Sequence, residues 1–337
     1  MKEALYWNSL DEGRVQCVLC PHRCIIGDDR TGICGVRKNV DGVLYSLVWA
    51  KSIAASVDPI EKKPLFHFFP GTSAFSIATV GCNLRCRFCQ NSDISQYPIQ
   101  TGRITGKDLL PEDVVESAIA SGCTSISYTY TEPTIYIEYV IDTAEKARDK
   151  GVKNTMITNG YISTEVIDEK LSGLIDAANI DLKSFSDTFY KKLCSGRLQG
   201  VLDAIKAYYE AGIWIEITTL LIPDENDSTD ELRDIASFIK SISPDIPWHI
   251  SRYYPNYLYN SAPPTPVSEV EDARDIGLSQ GLNYVYTGNV MGHAGENTFC
   301  RHCGAQIIKR QGFLVTEKAM RGNTCLHCNQ TIPGRFQ

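Results

Sequence analysis

Through the middle of the chain, short runs rich in β-branched residues alternate with longer stretches of helical period. The short runs predict strands near residues 75–80, 124–130, 153–158, 177–182, 214–221, 248–251 and 284–286. The amphipathic stretches between them predict helices near 111–120, 135–150, 165–171, 198–211, 230–239 and 268–280. Ser228 precedes an acidic first turn, and Gly151, Gly212 and Gly281 stand where helices should stop. Six or seven βα units in succession imply an α/β fold on a parallel sheet, open or closed as a barrel. The chain contains no GxGxxG, Walker A or HExxH sequence, so the nucleotide-fold and zincin readings lack their signatures. Internal repeats, low-complexity tracts and long linkers are also absent; the proline-bearing stretch 261–265 is only a short loop.

The composition is that of a globular chain able to bury a large core: 43% of the 337 residues are apolar and 22% are charged. No window approaches 18 consecutive apolar residues, and the first ten residues lack a secretion-signal pattern, so a cytoplasmic protein without a membrane association is expected. Net charge is −7, which argues against bulk coating of nucleic acid. From Asn297 onward there are six Lys or Arg against one Glu, about +5 in total, which leaves about −12 on the rest. A small basic module is attached to an acidic body.

Thirteen cysteines change the picture, because disulfides are rare in a reducing compartment and metal or redox chemistry accounts for them better. Eleven lie in clusters: Cys17, Cys20, Cys24 and Cys34; Cys82, Cys86 and Cys89; and Cys300, Cys303, Cys325 and Cys328. Cys123 and Cys194 stand alone and read as small hydrophobes. The middle group, C-x3-C-x2-C, follows the first barrel-type strand, with Phe88 just before its last cysteine. Three thiolates on one loop can bind three irons of a cubane and leave the fourth open. A structural zinc site would need a fourth ligand, and the loop offers none.

This spacing resembles that of the radical S-adenosylmethionine enzymes. Their open iron binds the cofactor's amino and carboxylate groups, and reductive cleavage yields a 5′-deoxyadenosyl radical that abstracts hydrogen. The rest of the chain resembles one branch, the AmmeMemoRadiSam system radical SAM proteins, which are similar to pyruvate formate-lyase activating enzymes. The motifs are CVLCPHRCIIGDDRTGICGV (17–36), DPIEKKPLFHFFPG (58–71), the loop 81–91, YTYTEPT (128–134), TNGY (158–161), NIDLKSFS (179–186) and the terminal cysteine pairs. The resemblance implies a partial (β/α)6-type barrel (residues 73–291), a cysteine-rich N-terminal segment (1–72) and a C-terminal zinc ribbon (292–337). It implies a 4Fe–4S cluster on Cys82, Cys86 and Cys89, with Phe88, Thr131, Glu132, Asn159, Asp181, Lys183 and His249 toward the cofactor, Lys183 also taking part in catalysis. Tyr130-Thr131-Glu132 stands where relatives carry Gly-Gly-Glu, and Ile157 where activases often carry an acid. Implied partners are Memo-type and Amme-type companion proteins and an electron donor such as flavodoxin or ferredoxin.

Each residue also has a plainer reading. Glu132 before Pro133 can cap a helix, Asp181 and Lys183 can be a buried ion pair, His249 a satisfied core histidine, and Lys62, Lys63 and His67 read slightly better as a solvated loop. Cys300, Cys303, Cys325 and Cys328 have zinc-ribbon spacing and should fold a small module around their metal. Cys17, Cys20, Cys24 and Cys34 suit zinc or an auxiliary iron–sulfur cluster equally in ligand type. The leading function is radical cleavage of S-adenosylmethionine. The alternatives are a glycyl-radical-enzyme activase and a non-catalytic zinc-module adaptor for RNA or protein.

Overall fold

The computed structural model describes residues 1–336. At its centre, strand β1 (Ala54–Pro59) lies antiparallel on β2 (Ser73–Ala78), and six further strands add in chain order, each parallel to the last. These are β3 (Ser125–Tyr128), β4 (Lys153–Thr158), β5 (Ala177–Asp181), β6 (Trp214–Leu221), β7 (Trp248–Arg252) and β8 (Val285–Gly288). Strands β3 and β5 are buried along nearly their whole length, as expected of a parallel sheet covered on both faces. Edge strands β1 and β8 do not pair, so the ladder stays open. The loop after β2 and the end of β8 nevertheless line one cavity, so the sheet curls part-way round it.

The crossover helices follow the predicted periods. They are α1 (Pro111–Ala120), α2 (Ile137–Asp149), α3 (Leu198–Glu210), α4 (Thr229–Ile242) and α5 (Val267–Ser279). Helix α4 buries Leu232, Ile235, Ala236 and Ile239, one face at helical spacing, and Ser228 Oγ accepts the Glu231 N–H at 3.3 Å to start it. Gly151, Gly212 and Gly281 take φ of +75°, +74° and +95° at the helix ends. The run predicted at 165–171 is a short helix, Thr164–Val166, that widens into a π-turn over Ile167–Leu171. No helix among the described residues is long and apolar enough to cross a membrane.

Residues 58–71 are not a solvated loop, in contrast to the expectation for Lys62, Lys63 and His67. Of these three only Lys62 is exposed; Lys63 is 2% exposed and His67 is fully buried. Lys63 can be buried because its Nζ donates to Asp58 Oδ2 at 2.8 Å and lies 4.4 Å from the centre of the Tyr130 ring. Asp58 also accepts from Lys62 at 2.8 Å and from the Tyr130 hydroxyl. Burial alone would raise its pKa, but these donors outweigh it and hold the carboxyl well below the usual range.

His67 ties this segment to the end of the chain. Its Nδ1 lies 2.7 Å from the Pro333 carbonyl and must donate there, so Nε2 accepts from the Tyr286 hydroxyl at 2.6 Å. Tyr286 in turn accepts from Thr298 at 2.9 Å, and Thr298 from Arg310 Nη1 at 2.8 Å. Arg310 belongs to the hairpin of β9 (Gln306–Gln311) and β10 (Leu314–Lys318) and stacks 4.0 Å over Phe66. Ile307, Ile308, Met320, Ile332 and Phe336 pack in one cluster with Phe66, Tyr284 and Tyr286. The basic C-terminal module therefore shares its core with β8 and the 58–71 segment.

This network makes stability depend on acid. Burial pulls His67 down to about 4, so from about pH 6.5 downward the unfolded chain binds a proton that the folded chain refuses until about pH 4. Stability contributed above pH 6.5 is lost through that window. Urea unfolding at pH 7.5 and pH 5.0 should show a loss on the order of 1–2 kcal/mol attributable to this group, and a smaller loss in His67→Gln. Equal pH sensitivity in both proteins would contradict a buried neutral His67.

Candidate active site

All ten residues expected at the mouth of the sheet line a single cavity of about 560 Å³: Cys82, Cys86, Phe88, Cys89, Thr131, Glu132, Asn159, Asp181, Lys183 and His249. Ligands collect at the carboxyl ends of parallel strands, and these residues come from the segments that follow β2, β3 and β4, from the end of β5 and from β7. Tyr130 explains why β3 stops at Tyr128, two residues earlier than predicted. The chain turns there through φ +61°, a left-handed conformation that glycine accepts more readily than tyrosine. Its ring covers Lys63 and its hydroxyl donates to Asp58, contacts that glycine could not make.

The cysteine loop begins at Gly81, whose φ of +104° suits glycine. A Cβ there would lie 2.7 Å from Val36 and 3.1 Å from the Cys34 carbonyl, so no side chain fits. The loop is held from below by a backbone ladder: Arg85 N–H donates to the Cys194 carbonyl and Arg87 N–H to that of Leu193, both at 2.8 Å. Cys194 is fully buried in the hydrophobic core beneath the loop, in keeping with its reading as a small hydrophobe. Burial raises the Cys82 thiol well above its ordinary value. Asn159 Nδ2 donates to Asn83 Oδ1 at 2.9 Å and reaches Cys82 Sγ at 3.6 Å. Phe88 is buried against Phe189, and Thr131 donates to the Thr79 carbonyl at 2.8 Å.

Glu132 performs the capping role that its position before Pro133 suggests, and a second one across the sheet. Oε1 accepts from Thr134 N at 3.0 Å, Thr134 Oγ1 at 2.6 Å and Thr158 Oγ1 at 2.7 Å; Oε2 accepts Asn159 N–H at 2.8 Å. Oε2 keeps capacity for one more donor. Burial raises the Glu132 pKa, opposed by these four donors. Lys183 Nζ pairs with Asp181 Oδ2 at 2.7 Å, and this carboxylate more than offsets burial, so the ammonium is held well above its ordinary value. Ile157 makes its part of the wall apolar.

His249 Nε2 donates to Glu216 Oε2 at 2.7 Å, and its ring stacks on Tyr286. Glu216 also receives the backbone N–H groups of Phe66 and His67 at 2.9 and 2.8 Å and Trp214 Nε1 at 3.1 Å. Burial would raise Glu216, but His249 and His67 outweigh it and the carboxyl is held low. Sequence reading missed Glu216, although a lone acid inside the run WIEITTLL is a visible irregularity.

The three cysteine groups differ in reach. Cys300, Cys303, Cys325 and Cys328 place their sulfurs within 4.8 Å of one another, with pairs at 3.6 and 4.0 Å. Tetrahedral Zn–S bonds of about 2.3 Å put sulfurs about 3.8 Å apart, so this set fits four-coordinate zinc. Burial opposes ionisation of Cys300, but backbone N–H groups of Cys303 and His302 bring it down to about 7. Among the described residues no other set draws in that far.

Glu132→Ala should lower unfolding free energy by about 1–3 kcal/mol, because it strands buried donors of Thr134, Thr158 and Asn159. Glu132→Gln, which keeps an acceptor, should cost less. Denaturant titration measures both, and an unchanged midpoint for the alanine variant would remove the carboxylate from its anchoring role.

The comparisons with known proteins agree with this geometry. The model of the Radical SAM superfamily matches residues 76–239. The uncharacterised protein MJ0808 of Methanocaldococcus jannaschii is 46% identical, over 98% of this chain and 99% of its own length. A pyruvate formate-lyase-activating enzyme of Clostridium pasteurianum is 25% identical over 48% of this chain and 67% of its own. A crystal structure of a radical SAM methyltransferase from Sphaerobacter thermophilus superposes with a TM-score of 0.52 at 16% identity, covering 68% of this chain and 71% of that one, a likeness of fold. The adaptor reading is thereby set aside, since the matched radical SAM domain carries the cysteine loop that lines the cavity. Residues 76–239 thus form a radical SAM domain, and the chain is a radical SAM enzyme with relatives among the pyruvate formate-lyase-activating enzymes.

Proposed function

We propose that Cys82, Cys86 and Cys89 hold a 4Fe–4S cluster, that S-adenosylmethionine binds beside it, and that a substrate enters the same cavity to lose a hydrogen atom. When bound, the cluster supplies the electron that splits the cofactor's sulfonium and yields the 5′-deoxyadenosyl radical. The observation that carries this reading is the convergence of the three-thiol loop and seven predicted cofactor-side residues on one cavity. Lys183, charged and paired with Asp181, offers N–H donors to an anionic group while Asp181 keeps a partly exposed oxygen as acceptor. Glu132 fixes the end of β4 and has room at Oε2 for an ammonium donor. Phe88 and Ile157 supply apolar wall for a purine or its sugar. Glu216 holds the His249 ring at the cavity wall.

In this reading the C-terminal cysteines bind zinc, the electron comes from a flavodoxin- or ferredoxin-type donor, and Memo-type and Amme-type proteins act with the enzyme, in keeping with the AmmeMemoRadiSam branch. Activation of a glycyl-radical enzyme is the second reading, favoured by similarity to the Clostridium pasteurianum activating enzyme. Anaerobic incubation with cofactor, reductant and each candidate companion, followed by mass analysis of every component, separates the two.

Replacing Cys82, Cys86 and Cys89 together by Ala should abolish 5′-deoxyadenosine formation while the C-terminal metal stays bound. Continued formation of 5′-deoxyadenosine by the triple variant would overturn the assignment. Glu132→Ala should also weaken S-adenosylmethionine binding about tenfold to a hundredfold through loss of a charge-assisted hydrogen bond.

A further inference from the structure

We infer that the substrate is a residue of a polypeptide, and that an acidic, extended segment of that polypeptide docks by strand addition to the free edge of β10, at the rim of the cavity. The substrate enters the cofactor cavity of the proposed reaction, on which this inference rests. Size gives the first reason. A drug-sized ligand occupies a pocket of about 300–1,000 Å³, and S-adenosylmethionine is a ligand of that class. A cavity of about 560 Å³ that takes the cofactor leaves space for a side chain and not for a second whole molecule of that size. The bulk of the substrate then lies outside, against the rim.

The rim offers a place for it. Phe313, at the tip of the β9–β10 hairpin, lines the cavity and is 50% exposed; the next residue, Leu314, is 64% exposed and Met291 82%. Met291 lies beside them, because a Cβ on Gly312 would sit 3.8 Å from its Cε. Contiguous exposed apolar side chains at a site mouth mark a contact surface. Strand β10 starts there. It is the outer strand of a three-stranded sheet with β9 in the centre and Thr298–Phe299 on the far side. Among the described residues no backbone N–H or carbonyl of residues 314–318 bonds outside the hairpin. Such an edge is a template on which an extended peptide gains main-chain hydrogen bonds. Proteins guard their edges with bulges and charges. Here the pairing passes from Val315 to Glu317 and leaves Thr316 as the extra residue of a bulge, which divides the edge. Charged Glu317 and Lys318 lie beyond the bulge, while the half beside the cavity, from Phe313 to Val315, is unguarded.

Charge selects the segment. Within the C-terminal module, Arg301, Lys309 and Arg310 are paired with Asp245, Glu317 and Glu61. Lys318, at the end of β10, reaches only the Phe336 carbonyl at 3.5 Å, and neither it nor exposed Arg321 has a carboxylate partner among the described residues. An acidic strand laid along this edge meets both cations, which speeds its encounter and disfavours a basic segment. RNA would meet the same charges but leave the backbone groups of the edge unused.

The test uses the full chain and amide hydrogen exchange read by mass spectrometry. Its probe is a synthetic peptide of about ten residues in which glutamate alternates with threonine around a central leucine. Exchange of the outward-facing amides within 314–318 should slow about tenfold or more at saturating peptide. The same peptide N-methylated throughout, which has no N–H to pair, and its lysine-for-glutamate counterpart should give no protection. Leu314→Asp combined with Lys318→Glu, at two exposed positions outside the cavity lining, should weaken peptide binding about tenfold or more and leave uncoupled 5′-deoxyadenosine formation unchanged. Absence of protection at 314–318 in the wild-type chain, equal protection by the N-methylated or the lysine peptide, or stronger protection by a single-stranded RNA of similar length would each overturn the inference. The exchange readings do not depend on cofactor cleavage, so a failure of docking and a failure of the catalytic reading are told apart.

Discussion

The buried carboxylate of Glu216 is the constraint on which much of the arrangement depends. It leaves β6 to accept two backbone N–H groups of the 58–71 segment, the Trp214 indole and the His249 ring. An ionised group with no exposure is tolerated only when its lone pairs are filled, and here four donors fill them. The 58–71 segment is thereby pinned to the sheet with Phe66 turned toward His249 and Arg310, and His67 toward the chain end. The loss of any one partner would leave the others facing an uncompensated charge, so the cavity wall, the histidine and the C-terminal hairpin are energetically coupled.

A comparable logic separates the cysteine groups. Burial disfavours thiolate, and it raises the thiols of Cys82 and Cys34, Cys34 to about 11. Such positions make poor anions on their own and good ligands once a cation is present. At the C-terminal set, backbone N–H groups lower Cys300 instead, and the sulfurs are already close. One chain thus contains a compact four-sulfur site, a three-cysteine loop facing a large cavity, and four further cysteines among the residues that line a small one.

The parallel strands and their crossover helices were legible because each carries its own period, caps and stops, and β4 and β6 begin and end where the pattern does. Strand β1 was not. Its AASVDP has no alternation and exposes three consecutive residues, and it exists because the edge of β2 offers hydrogen bonds. The site residues were legible from motif and strand position together, whereas their mutual bonding was not. Glu132 was recognisable as an acid at a strand end, but its grip on Thr158 and Asn159 depends on the neighbouring strand. Lys63 and His67 looked solvated because nothing local identifies Asp58, Tyr130 or Pro333 as partners; those contacts exist only after folding.

The bond from His67 to Pro333 has a consequence for how the molecule is made. Residues 58–71 carry Lys62, Lys63 and Phe66 into the cavity wall, yet the anchor of His67 at Pro333 lies 266 residues further along the chain. Strands β2 to β7 can assemble before that anchor has emerged from the ribosome. The cavity wall closes only when Pro333 and Arg335 have been translated, so a ribosome stalled before them would carry the cysteine loop complete and the chamber around it still open.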